Sequence, residues 1–201
     1  MHIAVLLSGG GTNLQALIKA QEQALIQHGI ITLVISDKAD AYALLRAEKA
    51  GIKALSLPKK GQEAKAWEAD LLRVLEAHQI DLIVLAGFLT ILSANVIKAY
   101  QNRIVNVHPS LLPAFGGKGF YGLKVHKAAL ARGVKLSGAT VHLVNEEADG
   151  GPILLQKAVR VKKHDTPEQL QKRVMEQAEW RLLPKAVEQL CKQLMKRKEG
   201  S

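Results

Sequence analysis

The sequence predicts a doubly wound α/β protein with a mostly parallel sheet, and three observations carry that prediction. Short apolar runs alternate with amphipathic helical stripes through the first half of the chain. A triple-glycine turn joins the first run to the first stripe. The last two apolar runs come as a pair with no helix between them, before a long helical pattern closes the chain.

Taken in order, the runs Ile3–Leu7, Ile31–Ile35, Leu82–Ala86 and Ile104–Val107 are apolar on both faces, as central parallel strands are. A weaker strand covers Ile52–Leu57. Leu14, Leu17, Ile18 and Leu25 fall on one helical stripe, and Trp67, Leu71, Val74, Leu75 and His78 on another. A polar, glycine-rich connection then runs from Pro109 to Gly122, longer than most loops in compact domains, which points to a functional segment. A helix is expected over Val125–Arg132. Strands are expected over Gly138–Val144 and Pro152–Val161, an antiparallel pair joined across Glu146–Gly151. A long helix or helix pair begins near Pro167, and its later part carries Leu183, Val187, Leu190 and Leu194 at helical spacing. There is no internal repeat, low-complexity tract or interdomain linker, so residues 1–201 read as a single domain.

The chain has 201 residues, 48% hydrophobic and 23% charged, the balance of a folded globular protein. No apolar run reaches the roughly 18 residues that a membrane-spanning helix needs. The opening MHIAVLLSGGG has too short an apolar stretch for a signal peptide, lacks a basic flank and runs directly into glycines. It reads as the first strand. One cysteine, Cys191, excludes an intramolecular disulfide framework and fits a reducing compartment, so a cytoplasmic protein is expected. The net charge of +10 could serve nucleic acid, a membrane surface or small anions. Part of it sits in the tail Lys192, Lys196, Arg197 and Lys198, and aromatics are only 4%, with no basic-aromatic interleaving to stack bases. Anionic small-molecule substrates account for the charge, with no nucleic-acid or membrane partner, in a monomer or homodimer.

Ser8–Asn13 follows the first strand and opens a helix. Glycines there let the backbone approach an anion, and the free amides of the helix N-terminus point at it with a favourable dipole. A phosphate is the natural ligand. The competing reading is a plain tight turn with Thr12 or Asn13 capping the helix. No Gly-Lys-Ser/Thr follows, which excludes a Walker loop. The dinucleotide fingerprint fails at its third glycine, where Leu14 stands, although Asp37 would suit the ribose hydroxyl of an NAD enzyme.

The strongest chemical signal is Asn106-Val107-His108-Pro109-Ser110-Leu111-Leu112-Pro113, at the end of a predicted strand. Ligands of open α/β sheets bind beyond the carboxyl ends of strands, and alternation puts Asn106 and His108 on one side. That pair offers an amide donor and a titratable imidazole to one small volume. Asp149-Gly150-Gly151-Pro152 forms the second signal: a rigid turn that either presents a carboxylate or is only stabilised by it. Sequence distance does not bring Asp149 to His108. The seven histidines and one cysteine show no metal-ligand spacing.

These stretches, with Ser137-Gly138-Ala139-Thr140-Val141-His142 and Ala86–Leu92, closely resemble the formyltransferase superfamily over nearly the whole chain. The resemblance implies a Rossmann-like formyltransferase fold and the branch that formylates a purine precursor, glycinamide ribonucleotide. Gly11, Thr12 and Asn13 would hold the ribonucleotide phosphate, and Glu179 would grip the ribonucleotide. Leu89, Thr90, Ile91 and Leu92, with Asn145, Glu146, Glu147 and Ala148, would line the cleft for the pterin of 10-formyltetrahydrofolate, the co-substrate. Asn106 would donate to the formyl oxygen, His108 would supply a proton, and Asp149 would favour protonated His108. No metal is implied.

The chain departs from the family pattern in four places. Glu179-Trp180 stands where the family has Glu-His, and the spacing back to Val174 is one residue longer. Thr90 replaces a basic residue. No cation matches the family's near Ala64, though Lys59, Lys60 and Lys65 are close in sequence. The loop Phe115–Gly122 is flexible by composition; it would either order over substrate or stay a surface loop. Within the superfamily, a further C-terminal domain would mark a transfer-RNA formylase and an N-terminal regulatory domain a formyl-folate hydrolase. The chain is expected to end too soon for the former, and a catalytic pattern that begins at residue 1 counts against the latter, although that hydrolase is still the nearest alternative. An NAD-dependent oxidoreductase is more remote.

Overall fold

β1 (His2–Leu7) shows how the two faces of the sheet are made: Ile3, Val5 and Leu7 enter one core, and Ala4 and Leu6 enter the other. A strand buried on both faces is the central strand of a three-layer arrangement. The computed structural model describes residues 1–199. After β1 come α1 (Thr12–Glu22), β2 (Ile30–Ser36), α2 (Tyr42–Lys49), β3 (Lys53–Ser56) and α3 (Ala64–Ala77). Then follow β4 (Leu82–Leu85), α4 (Ala94–Ala99), β5 (Ile104–His108), α5 (Leu123–Arg132), β6 (Leu136–Leu143) and β7 (Ile153–Arg160). The chain closes with α6 (Pro167–Val174), a π-helical turn (Met175–Glu179) and α7 (Trp180–Glu199). Among the described residues, no helix is long and apolar enough to cross a membrane.

The seven strands lie in the order β3-β2-β1-β4-β5-β6-β7. The first five are parallel, and β6 and β7 are added antiparallel. The order reverses between β1 and β4, where the loops after the two strands diverge and open a crevice. Ser8 ties its two walls: its N–H donates to Gly87 O (3.1 Å), and its Oγ accepts from the Leu89 N–H (2.9 Å). One core packs α1, α2 and α7 on the sheet, with Leu14, Leu17, Ala43, Ala47, Leu183 and Val187. The other packs α3 and α4, with Trp67, Leu71, Leu75 and Val96.

Helix starts follow local chemistry. Thr166 and Gln169 form a reciprocal capping box with Pro167 in the first turn of α6. Ser93 and Glu63 cap α4 and α3. Two expectations change. Leu25 does not share the α1 stripe: the helix ends at Glu22, and Leu25 is 60% exposed. The helices α2 and α4 were not expected; they bury only Ala43 and Ala47, and only Val96, so neither writes a broad apolar stripe.

Candidate active site

The strand β5 delivers Asn106 and His108 to the crevice side of the sheet edge, and its antiparallel neighbour supplies a third group. Asn106 is register partner of His142, and His108 of Thr140. The Asp149 carboxylate reaches this strand pair from the β6–β7 loop. Its Oδ2 lies 3.3 Å from His108 Nδ1 and accepts the Gly117 N–H at 2.9 Å. Its Oδ1 lies 3.3 Å from Asn106 Nδ2 and 3.5 Å from His142 Nε2. Four groups from three segments thus meet one carboxylate.

The turn that carries Asp149 is built for this. Asp149 itself adopts φ 57°, in the left-handed region that Asp tolerates better than most residues. Gly151 packs so tightly on the Leu143 carbonyl that a Cβ would overlap it. The Gly117 bond also shows what the Pro109–Gly122 connection does. It folds back on the cluster, and the Phe115 carbonyl faces His108 Nε2 at 2.8 Å.

Both ring nitrogens of His108 therefore face acceptors, an arrangement that only the imidazolium satisfies fully. Burial works against that form and is the largest influence, so His108 lies below the ordinary imidazole range. The Asp149 charge and the Phe115 carbonyl pull it upward. Burial pushes Asp149 the other way, upward, but the His142 bond, the His108 charge and the Gly117 amide together leave it below the usual carboxylate range. Asp149 is an anion poised beside a histidine held mostly neutral by desolvation. The expected support of the protonated form is present as a contribution, outweighed by burial.

His142 was missed as a functional residue. It is 2% exposed, and its Nδ1 faces the Leu143 carbonyl at 2.8 Å. A doubly protonated ring donates Nε2–H to Asp149 Oδ1, whereas with the N–H on Nδ1 alone Nε2 accepts Asn106 Nδ2–H at 3.2 Å. In that neutral form both Asn106 donors are engaged, one by His142 and one by Asp149, through contacts long enough to exchange readily. A histidine inside an apolar strand was the available signal, but only strand pairing sets it opposite Asn106.

At the glycine loop, Gly11 adopts φ 72° as the N-cap of α1, with no side-chain cap and no acidic residue in the first turn. The plain-cap reading fails, because Gly11 is the N-cap and neither the Thr12 nor the Asn13 side chain bonds a first-turn amide. Thr12 Oγ1 faces Met175 Sδ (3.8 Å), and Asn13 Nδ2 donates to Glu179 Oε2 at 2.7 Å. Uncapped first-turn amides with no competing acid suit an anion. Glu179 is buried at the end of the π-turn. Burial raises its pKa, opposed by the Asn13 bond. The π-turn also absorbs the extra residue after Val174, because i→i+5 bonding takes one residue more per turn.

The expected folate residues divide. Leu89 and Ile91 are 51% and 66% exposed, unusual apolar surface beside the crevice, whereas Leu92 is buried in the α3–α4 core. Thr90 donates to Asp37 Oδ2 at 2.7 Å, while Asp37 Oδ1 meets no partner among the described residues. Asn145, Glu146 and Glu147 border a hollow of about 670 Å³ against α4. Ala148 is exposed beside them. Among the described residues, no group of three or more His, Cys, Asp or Glu side chains is arranged to hold a metal ion.

The family model described as "Formyl transferase" matches residues 1–187. A chloroplastic phosphoribosylglycinamide formyltransferase of Vigna unguiculata is 40% identical over 98% of the chain, which spans 64% of that relative's length. The phosphoribosylglycinamide formyltransferase of Escherichia coli (strain K12) is 40% identical over 88% of the chain and 81% of its own. Among solved structures, glycinamide ribonucleotide transformylase 1 from Symbiobacterium toebii is 42% identical, with a TM-score of 0.89 over 96% of this chain and 88% of that one.

Proposed function

The chain belongs to the formyl transferase family, and on that premise we propose that it moves the formyl group of 10-formyltetrahydrofolate onto the amine of glycinamide ribonucleotide. That is the activity its relatives' name, phosphoribosylglycinamide formyltransferase, denotes. It works as one domain, in the cytoplasm, on small molecules. The observation that carries the reading is the Asp149 carboxylate 3.3 Å from both His108 and Asn106, beside a crevice with an uncapped helix N-terminus.

The uncapped amides of Gly11, Thr12 and Asn13 hold the phosphate, and Glu179, braced by Asn13, grips the sugar. The exposed Leu89 and Ile91, with the Asn145–Ala148 segment, offer surface to the pterin. The neutral amine attacks the formyl carbon directly. As the carbonyl oxygen gains charge, Asn106 turns one N–H from its long contact with Asp149 to that oxygen. An oxyanion draws a donor more strongly than a ground-state carbonyl does, so this bond favours the transition state. The attacking nitrogen then loses a proton and the folate nitrogen gains one as its bond to the formyl carbon breaks. His108 and Asp149 carry that exchange: the carboxylate stabilises the imidazolium for the moment it holds the proton. No metal is required, because the nucleophile is an unprotonated amine and the leaving nitrogen departs protonated.

Hydrolysis of the same formyl folate would give the phosphate loop no task. A transfer assay separates the two. With glycinamide ribonucleotide and 10-formyltetrahydrofolate present, formylated product and tetrahydrofolate should appear one for one. Formate release that does not depend on the ribonucleotide would replace this reading with the hydrolase.

A further inference from the structure

The glycine loop is held from behind by a helix that carries no part of the chemistry above. The carbonyls of the three glycines are all committed. Gly9 O accepts the Ala43 N–H (3.2 Å), Gly10 O accepts Arg46 Nε–H (2.8 Å), and Gly11 O accepts the Gln15 N–H (2.9 Å). Two of these donors belong to α2, and one is charged. Arg46 is fixed in turn: Nη1 donates to Gln15 Oε1 at 3.0 Å, and its guanidinium lies 5.0 Å over the Tyr42 ring. The helix is seated so close that a Cβ on Gly11 would come within 2.6 Å of Ala43 Cβ.

A loop binds an anion through its N–H groups only while its carbonyl oxygens face away, because each carbonyl carries the repelling end of the peptide dipole. Gly10 is the exposed middle of this loop, with open space around its Cα, so nothing steric prevents its peptide from turning. The bond from Arg46 is what opposes that rotation.

We infer that Arg46 is a positioning residue of the phosphate loop, holding the Gly10 carbonyl away from the anion and adding a positive charge behind the Gly11–Asn13 amides. The inference rests on the phosphate reading of that loop and adds α2 to the ribonucleotide site.

Arg46→Met removes both the fork and the charge at similar length; Arg46→Lys keeps the charge and one donor. In the methionine variant, KM for the ribonucleotide and Kd for inorganic phosphate, read by calorimetry without either substrate, should rise together by about tenfold, the loss of one charge-assisted hydrogen bond. The change should fall on those two constants, with kcat and the formyl-folate KM within about twofold. Arg46→Lys should recover most of the loss. Unchanged phosphate binding in a folded methionine variant would overturn the role. So would losses spread evenly over kcat and both KM values without rescue by lysine, which mark a general structural part. If the unmodified protein does not bind phosphate at all, the reading of the loop falls and this inference with it, whatever the transfer assay gives.

Discussion

Gly151→Ala should cost about a hundredfold in kcat while leaving the protein folded, and the reason can be worked from contact distances. A Cβ at Gly151 would stand 1.8 Å from the Leu143 carbonyl oxygen and 2.8 Å from its carbon. Carbon and carbonyl oxygen meet comfortably at about 3.3 Å, so the backbones must part by roughly 1.5 Å. Leu143 is anchored, its N–H donating to Pro152 O at 2.9 Å as the strand pair begins. The displacement therefore passes into the loop from Val144 to Gly150, which ends β6 and carries Asp149. The carboxylate meets His108 and Asn106 at 3.3 Å, near the limit of useful contact, and a shift of this size breaks both. Misplacement by about 1 Å is enough for a loss near 10² in rate. The neighbouring Gly150→Ala is the control. Its Cβ would meet only the Glu147 side chain, at 2.6 Å, and that exposed chain can rotate away. Steady-state kinetics on both variants, with melting curves to confirm folding, make the comparison. A folded Gly151→Ala enzyme with unmodified kcat would show that the turn does not set the position of Asp149, or that the position does not matter.

Further outcomes follow from the structure. Asn106→Ala should lose about 3 kcal/mol of transition-state stabilisation, seen in kcat; a rise in KM with kcat intact would make it a ground-state binding residue. Asp149→Asn removes the charge that pulls His108 upward against burial, so NMR should find His108 titrating at lower pH. The double variant His108→Ala with Asp149→Asn should cost far less in kcat than the product of the single losses, and multiplicative losses would mean that the two residues act separately. His126 is fully buried, its ring nitrogens meet no partner among the described residues, and burial pulls it down to about 4 from 6.5. The unfolded chain therefore binds the extra proton between those values, and stability should fall by about 3 kcal/mol as pH drops from 6.5 to 4. Urea melts of His126→Leu should show a shallower fall over that window; an unchanged slope would acquit His126.

The sequence showed the strands where burial on both faces left continuous apolar runs, and it showed Asn106 and His108 because alternation along one strand needs no tertiary information. Their meeting with Asp149 was not legible. It depends on how far a loop turns back after β6, which is set by the left-handed conformation of Asp149 and the contact of Gly151 with Leu143. His142 was hidden for a related reason: facing Asn106 is a property of the antiparallel register, and one residue of slip would have put it on the other face. The helix α2 was hidden by its own contacts. It approaches the glycine loop through Ala43 and buries only alanines, while Tyr42 and Leu45 stay exposed, so no buried stripe of large apolar residues announces it. The same closeness brings Arg46 to Gly10.

The spacing before Glu179 makes the opposite point, that a visible departure in sequence can leave a site intact. One extra residue in a regular α-helix turns everything after it by about 100°. Had α6 simply continued, Glu179 would have faced away from Asn13, and α7 would have presented a different stripe to the sheet. The π-turn Met175–Glu179 takes up the residue locally, so Asn13 still donates to Glu179 at 2.7 Å and Leu183, Val187 and Leu190 still enter the core. A wider turn packs less well and is disfavoured on its own. It survives here because two contacts fix the helix on either side of it, the capping box at Thr166 and the seating of α7 on the sheet. Deleting Gln177 should therefore restore a regular helix without rotating α7. Glu179 would still reach Asn13, and the deletion variant should melt at the same temperature or higher. A deletion that unfolded the protein, or that raised the ribonucleotide KM as strongly as Glu179→Ala does, would mean that the turn itself shapes the site.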